Sequence, residues 1–153
     1  MEKRFETFTV LIAKINRNIR KIKNQEMAAY DLRSGHISCL YYLYISPGLT
    51  ATELCERCEE DKATISRSLG HLESEGYLTC NAKTEKRYKS PLLLTEKGKE
   101  VGKIIADKVD RALRQISTAL TEEERIAFYR SLSVISEGLD AISSQIDQAE
   151  AAE

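Results

Sequence analysis

The chain has 153 residues, enough for one domain with a sizeable core, and its 42% hydrophobic and 31% charged residues are typical of a soluble globular protein. Charges interrupt the apolar positions at its start, and no apolar run approaches the roughly 20 residues of a membrane helix, so we expect no secretion signal, no membrane span and a cytoplasmic location. The net charge of −1 excludes a uniformly basic surface, but positive and negative residues are concentrated in different segments of the chain. Residues 1–23 carry seven Lys/Arg against two Asp/Glu and residues 62–99 carry eight against four, whereas residues 121–153 carry two against eight. This distribution permits a basic patch for nucleic acid.

Both ends of the chain carry a narrow apolar stripe with helical spacing. The stripes predict helices within residues 1–30 and 118–147, and Thr121 with Glu124 forms a capping box at the start of the second. Because each stripe needs a partner, we expect these helices to dimerise; packing within one chain is the alternative. Residues 148–153 are expected to fray. The stripe residues are Phe5, Phe8, Ile12, Ile15, Ile19 and Ile22, and Tyr129, Leu132, Ile135, Leu139, Ile142 and Ile146.

Between the two ends, capping and turn residues divide the chain into short elements. The first predicted helix is capped by Ser34 and stopped by Pro47-Gly48, and the second runs from the Thr50–Glu53 capping box to about Cys58. The third runs from the cap Asp61 to about Glu75, before Gly76. Strands are then predicted at Tyr77–Asn81 and Arg87–Leu94, and a further helix starts at Thr95. The block Leu49–Thr95 therefore has the order helix, turn, helix, basic hairpin, which is typical of a winged helix-turn-helix.

The helix 62–74 has two different faces. Ile65, Leu69 and Leu72 share one face and are expected to pack inward. The opposite face is small, hydroxylated and cationic, which suits close approach to a DNA groove better than an ordinary solvated face rich in Glu and Lys. Its residues are Ala63, Thr64, Ser66, Arg67, Gly70 and His71.

The hairpin that follows has a basic tip. Lys83, Lys86, Arg87 and Lys89 lie within seven residues. Such a tip suits phosphate contact or insertion into a narrow minor groove, although hairpin tips are also charged for solubility alone.

Four segments carry a family resemblance: the runs Asp61–Arg67, Leu72–Leu78 and Leu94–Gly98, and the basic hairpin, which is the wing. Together they resemble the MarR family of bacterial transcriptional regulators. The resemblance covers nearly the whole chain. It implies a homodimer that binds a pseudo-palindromic operator in double-stranded DNA and responds to a small phenolic or other effector, or to cysteine oxidation.

Carried over by position, the resemblance assigns DNA contacts to Lys62, Thr64, Ser66 and Arg67 of the recognition helix and to Arg87 of the wing. We also expect DNA contacts from His71, Lys86 and Lys89. The chain departs from the family at three positions. His71 and Cys80 stand where a positive charge is common, and Glu85 stands where the wing usually has Asp.

Two clusters are candidates for sensing. His36, Tyr41 and Tyr44 fall where the family has its effector pocket, with ordinary core packing as the alternative. Cys55 and Cys58 form a CxxC, but it lies inside a short helix and lacks further ligands at metal-site spacing. We therefore expect no metal and no cofactor, and we expect the thiols to be reduced and inert.

The sequence thus predicts a mainly α fold with a small β-hairpin, in one domain of residues 1–153: a winged helix-turn-helix lobe at 34–99 flanked by N- and C-terminal dimerisation helices. We expect a dimeric repressor released by a small-molecule effector. The alternatives are a winged-helix interaction module without DNA binding and a thiol-based redox-sensing regulator. No nucleophile–base pattern or phosphate-binding loop indicates an enzyme.

Overall fold

α-Helices and one two-stranded antiparallel sheet make up the residues that the computed structural model describes, which are 2–80 and 89–150. The predicted order is confirmed, and with it the mainly α fold class with one hairpin. The elements are α1 (Glu2–Glu26), a 3₁₀ turn (Ala28–Tyr30), α2 (Ser34–Ile45), α3 (Ala51–Cys58), α4 (Lys62–Ser74), β1 (Leu78–Cys80), β2 (Leu92–Leu94), α5 (Glu96–Ser117) and α6 (Glu122–Glu150).

Helix α2 begins with Ser34 itself, so the prediction that Ser34 caps this helix is wrong by one residue. Side chains of two other residues accept the N–H groups at the start of this helix. The Ser34 N–H donates to Asn24 Oδ1 of α1 over 2.8 Å, and the Arg33 N–H donates to His36 Nδ1 over 3.2 Å. The start of α2 is therefore tied to the end of α1, because a tertiary contact satisfies the helix donor.

The caps predicted for the helix-turn-helix are confirmed. The Thr50 N–H donates to Glu53 Oε2 over 2.7 Å and the Glu53 N–H donates to Thr50 Oγ1 over 3.3 Å, a reciprocal capping box that starts α3. Asp61 Oδ1 accepts the Thr64 N–H over 2.7 Å and starts α4. Between the helices, Glu59 takes a left-handed conformation (φ 52°, ψ 46°) that ends α3 and turns the chain.

The hairpin is shorter than predicted on its second side, and its register pairs Leu78 with Leu94 and Cys80 with Leu92. Gly76, at φ 73°, makes the turn into β1 as the sequence indicated. On leaving β2, Thr95 Oγ1 donates to the carbonyl of Gly76 over 2.7 Å and accepts the Gly98 N–H over 3.1 Å. Thr95 therefore closes the hairpin and caps α5 at the same time.

The packing of α5 explains why residue 98, the last of the Leu94–Gly98 run, is a glycine. A Cβ at this position would lie 1.9 Å from the carbonyl oxygen of Tyr77, so α5 packs directly against the backbone before β1. Lys97 covers the same corner: its Nζ donates to the Glu75 carbonyl over 2.7 Å and lies 4.2 Å from the centre of the Tyr77 ring.

The hydrophobic core lies entirely within the compact unit Met1–Val109. It is enclosed by helices α2, α3 and α4, the hairpin and the first half of α5. At the end of α1, Glu26 forms an ion pair with Lys108 of α5. The buried side chains of the core are Met27, Leu32, Ile37, Cys39, Leu40, Leu43, Ala51, Leu54, Ile65, Leu69, Leu72, Tyr77, Leu78, Leu92, Val101 and Ile105.

The second compact unit is Asp110–Glu153, with the end of α5 and all of α6. The predicted capping box starts α6: the Thr121 N–H donates to Glu124 Oε2 over 2.8 Å and the Glu124 N–H donates to Thr121 Oγ1 over 3.2 Å. Along this helix the apolar stripe is open, with Leu139 and Ile142 51% and 55% exposed. The stripe of α1 in the first unit is open as well, since Ile15, Ile19 and Ile22 are about half exposed.

Candidate nucleic-acid interface

Helix α4 has the two faces that its sequence predicted. Ile65, Leu69 and Leu72 are buried in the core. Outward, the side chains of Lys62, Ala63, Ser66 and Arg67 and the backbone of Gly70 are exposed, and Thr64 is half-buried. A Cβ built on Gly70 meets no atom within 4 Å, so this face is open to an approaching groove.

A short polar network runs along the exposed face from the helix cap to Arg67. Thr64 Oγ1 donates to Asp61 Oδ2 over 3.2 Å and accepts a hydrogen bond from Arg67 Nη2 over 3.1 Å. The pKa of the Asp61 carboxyl is lowered, chiefly by the Thr64 N–H that it accepts and in smaller part by the Arg67 guanidinium. The network favours the ionised form of Asp61 and places the Arg67 guanidinium beside Thr64, with donors left for a base or phosphate.

His71 is half-buried rather than open. Its ring stacks on that of His36 from α2, with centroids 4.2 Å apart and planes 14° apart. Burial, and then the neighbouring His71, lower the pKa of His36, and His36 Nδ1 accepts the Arg33 N–H. His71 therefore packs against α2 within the lobe, and its assignment as a DNA contact stays a prediction.

Sequence reasoning missed one buried position of α4, Ser68. It is 6% exposed and faces Gly35 of α2, where an added Cβ would lie 3.1 Å from Ser68 Oγ. Two small residues thus bring α2 and α4 close together and set the position of the recognition helix. The small size of Gly35 and Ser68 was visible in the sequence, but their apposition was not.

On the wing, the structure describes only Lys89 among the predicted basic contacts. Its side chain is exposed just before β2. Lys86 and Arg87, like Lys83, lie outside the described residues, so their roles stay predictions.

The three residues predicted for an effector pocket lie in different surroundings. Tyr41 lines a cavity of about 140 Å³ between α1, α2 and α5. His36 stacks on His71 instead, and the Tyr44 side chain packs against Gly102 of α5, where an added Cβ would lie 2.8–3.1 Å from its Cβ and ring atoms. The remaining lining residues are Lys23, Ile37, Ser38, Tyr42, Ile105 and Val109.

Two further properties of the described residues bear on function class. Within 2–80 and 89–150, no three His, Cys, Asp or Glu side chains come together as ligands for a metal ion. Over the same residues, every helix is too short or too polar to cross a lipid bilayer.

Comparison with known families gives a match to the MarR family over residues 30–85, which covers α2, α3, α4, β1 and the start of the wing. A curated relative, the uncharacterized HTH-type transcriptional regulator YybA of Bacillus subtilis (strain 168), is 27% identical over 114 residues, which are 74% of this chain and 76% of that protein.

Solved structures share the fold over most of the chain. NMB1585, a MarR family regulator from Neisseria meningitidis, superposes with a TM-score of 0.81 at 19% identity and covers 93% of this chain and 97% of its own. The S. aureus MepR–DNA complex gives a TM-score of 0.77 at 20% identity over 86% and 97% of the two chains. S. aureus MarR in complex with salicylate and kanamycin gives 0.76 at 19% identity over 90% and 93%.

The matched family model and the fold point to the class of winged helix-turn-helix transcription regulators. The resemblance in the sequence motifs is confirmed, since the MarR family model matches residues 30–85 and MarR family regulators share the fold.

Proposed function

We propose that this regulator is a cytoplasmic homodimeric repressor that binds a pseudo-palindromic operator through α4 and the wing and is released by a small-molecule effector. The observation that carries the DNA-binding part is the exposed Arg67, held on the outer face of α4 by its hydrogen bond to Thr64. A guanidinium in this position suits bidentate bonding to guanine O6 and N7 in the major groove.

The other exposed groups suit contacts that position the helix. Lys62 at the start of α4 and Ser66 one turn on supply an ammonium and a hydroxyl to phosphates, and Lys89 adds a cation beside the hairpin. That S. aureus MepR, with the same fold, has been solved as a DNA complex supports this use of the fold.

The dimer is supported by the open apolar stripes of α1 and α6. Large aliphatic side chains that are about half exposed along two long helices make a surface that monomeric proteins seldom leave uncovered. A second copy of the chain is the occupant we propose, since a two-fold dimer presents two α4 helices to one face of DNA, about 34 Å apart.

The DNA-binding proposal is tested with operator fragments selected from the host genome. Arg67→Ala is expected to weaken binding by about 1–3 kcal/mol and to relax preference at one base pair in each half-site, because a base contact is lost. Arg111→Ala, which removes an exposed cation of the second compact unit, is the matched control and should bind as the parent does.

The alternative, an interaction module without DNA binding, makes a different prediction in the same assay. Phosphate contacts release counterions, so log affinity for the operator should fall steeply and linearly with log salt concentration. Absence of saturable binding at low salt, or equal binding by the Arg67→Ala protein and the parent, would contradict the proposed role of α4.

The dimer is tested by sedimentation. Ile142→Glu places a charge in the open stripe of α6, whereas Ser144→Glu places the same charge about 200° around the helix. We expect the first variant to sediment as a monomer and the second as a dimer. Equal dimerisation of both variants would show that the α6 stripe is not the interface.

The effector is proposed to enter the cavity beside Tyr41. An apolar cavity of about 150 Å³ accommodates benzene, so about 140 Å³ suits one aromatic ring. That S. aureus MarR has been solved with salicylate supports a phenolic compound as the probe. Salicylate is expected to lower operator affinity of the parent and of Tyr44→Phe, and to do so less for Tyr41→Phe, which changes a side chain that lines the cavity. An equal response of all three proteins would contradict this site.

A further inference from the structure

A chain of hydrogen bonds joins the cap of α4 to Arg67. Asp61 Oδ1 accepts the Thr64 N–H over 2.7 Å, and Asp61 Oδ2 accepts the Thr64 hydroxyl over 3.2 Å. Thr64 Oγ1 in turn accepts a hydrogen bond from Arg67 Nη2 over 3.1 Å. The three side chains are thus connected in sequence order along the outer face of α4, and Thr64 is the link between the other two.

The Thr64 hydroxyl has its hydrogen committed to Asp61. A hydroxyl has one hydrogen to donate, so donation to the carboxylate leaves only its lone pairs for other partners. The Thr64 N–H lowers the pKa of the Asp61 carboxyl, and the ionised carboxylate polarises the hydroxyl and makes its oxygen a better acceptor for Arg67. In this arrangement Thr64 has no hydrogen left for a DNA phosphate, and its hydroxyl serves Arg67 instead.

The bond to Thr64 restricts the Arg67 side chain before DNA arrives. Arg67 is exposed, and a long exposed side chain without a partner samples many rotamers. A side chain that is already held in one orientation loses less conformational entropy when it binds. The guanidinium has further N–H groups beyond the one used by Thr64, and two of them suffice for the bidentate bond to guanine O6 and N7.

Asp61 also brings a negative charge to the first turn of the recognition helix. Residues 61–72 contain one acidic residue, Asp61, beside the cations Lys62 and Arg67, and the Asp61 side chain is exposed. The N-terminal residues of a recognition helix are those that contact base edges, so this carboxylate comes close to DNA phosphates and repels them. The repulsion acts at every DNA site, whereas the hydrogen bonds help only where Arg67 meets its base.

We propose that Asp61 and Thr64 are positioning residues that determine the specificity of DNA reading: Thr64 orients the Arg67 guanidinium for a guanine, and Asp61 fixes the Thr64 hydroxyl and weakens binding through phosphates alone. The inference rests on the proposed DNA binding through α4. It names guanine as the base that Arg67 reads in each half-site, and it gives Thr64 a role through Arg67 in place of its own DNA contact.

The test measures discrimination, which is the ratio of the dissociation constants for two duplexes at one salt concentration. The first duplex is the operator fragment selected from the host genome. In the second, a guanine of each half-site is replaced by adenine, one position at a time. Arg67→Ala identifies the position that Arg67 reads, where we expect the parent to discriminate about tenfold or more. A scrambled duplex of the same length reports non-specific affinity.

Two variants of Thr64 separate the hydroxyl from the shape of the side chain. Thr64→Val removes the hydroxyl and keeps the branched shape, and it should lower discrimination about threefold or more, because the acceptor for Arg67 is lost. Thr64→Ser retains the hydroxyl and should discriminate as the parent does. Added to Arg67→Ala, Thr64→Val should have no further effect on binding, because a positioning residue acts only through the residue it positions. Circular dichroism checks that the helices are retained.

Asp61→Asn changes the charge and retains a residue that caps helices well. Its amide oxygen takes over the bond from the Thr64 N–H, so the amide nitrogen faces the Thr64 hydroxyl as a donor and competes with Arg67. We expect discrimination to fall about threefold and affinity for the scrambled duplex to rise about twofold or more, while the free energy of unfolding stays close to that of the parent.

The outcomes separate this inference from the proposed function. If Arg67→Ala loses discrimination but Thr64→Val keeps it, Arg67 reads the base without positioning, and only this inference is overturned. If Arg67→Ala discriminates as the parent does, the proposed role of α4 fails as well. Further weakening when Thr64→Val is added to Arg67→Ala would show that Thr64 contacts DNA itself. A change of preference in Asp61→Asn at a different base pair would show that Asp61 reads a base directly. Either of these last two results also overturns the inference.

Discussion

The core unit and the terminal helices use similar apolar side chains in opposite ways. Between Met27 and Ile105, the side chains that form the core are buried, and caps on α3, α4 and α5 satisfy the helix starts. Along α1 and α6, the apolar stripes are open. The lobe thus has a core of its own, whereas the stripes of the terminal helices are the surface that the proposed dimer would cover. Stability and assembly are therefore expected to respond to different substitutions.

The largest expected difference is between Leu72 and Leu139. Leu72 of α4 is completely buried, so Leu72→Ala should lower the free energy of unfolding by about 2–5 kcal/mol at any protein concentration. Leu139 is 51% exposed, so Leu139→Ala should act through dimerisation and change stability in a concentration-dependent way. Denaturant unfolding at several protein concentrations checks both; a concentration-independent loss for Leu139→Ala would show that α6 packs within its own chain.

A smaller difference is expected between two glycines. Gly98→Ala forces a Cβ against the Tyr77 carbonyl, so it should destabilise the protein by about 1–3 kcal/mol or more. Gly70→Ala adds a methyl group to open space inside a helix and should stabilise it by about 0.5–1 kcal/mol. Thermal unfolding of the two variants measures the sign directly, and destabilisation by Gly70→Ala would show that the outer face of α4 is covered.

The smallest effect concerns the His36–His71 stack and pH. Because burial and His71 lower the pKa of His36 in the folded protein, the unfolded chain binds the proton first as the pH falls below the ordinary histidine value of about 6.5. The stabilising contribution is therefore present above that pH and is lost as the pH falls through the folded pKa. His36→Asn, which retains an acceptor for the Arg33 N–H, should flatten this part of the stability profile between pH 7 and 5. An unchanged profile would assign the pH dependence to other groups.

The local elements were predictable because their signals lie within a few residues of one another. Thr50 with Glu53, Asp61 and Thr121 with Glu124 are caps that act over three residues, and all three start helices as expected. The inward face of α4 followed from helical periodicity alone. Ser34 was misjudged because its N–H is satisfied by Asn24, a residue of another helix that no local pattern reveals.

The candidate sites were predictable only in part. Arg67 and Lys62 are exposed on α4 as their spacing indicated. The effector cluster was not predictable, since helical spacing does not tell which tyrosine faces a cavity: Tyr41 does, Tyr44 packs on Gly102 and His36 stacks on His71.

The sequence by itself determined the helix order, the caps of α3, α4 and α6, the hairpin and the cationic outer face of α4, because capping and amphipathic periodicity act over one or two turns. Only the tertiary structure decided which groups meet across helices: Gly35 lies against Ser68, and His36 stacks on His71. These contacts depend on how α2 crosses α3 and α4. That geometry is set by close packing of the whole core rather than by any single segment.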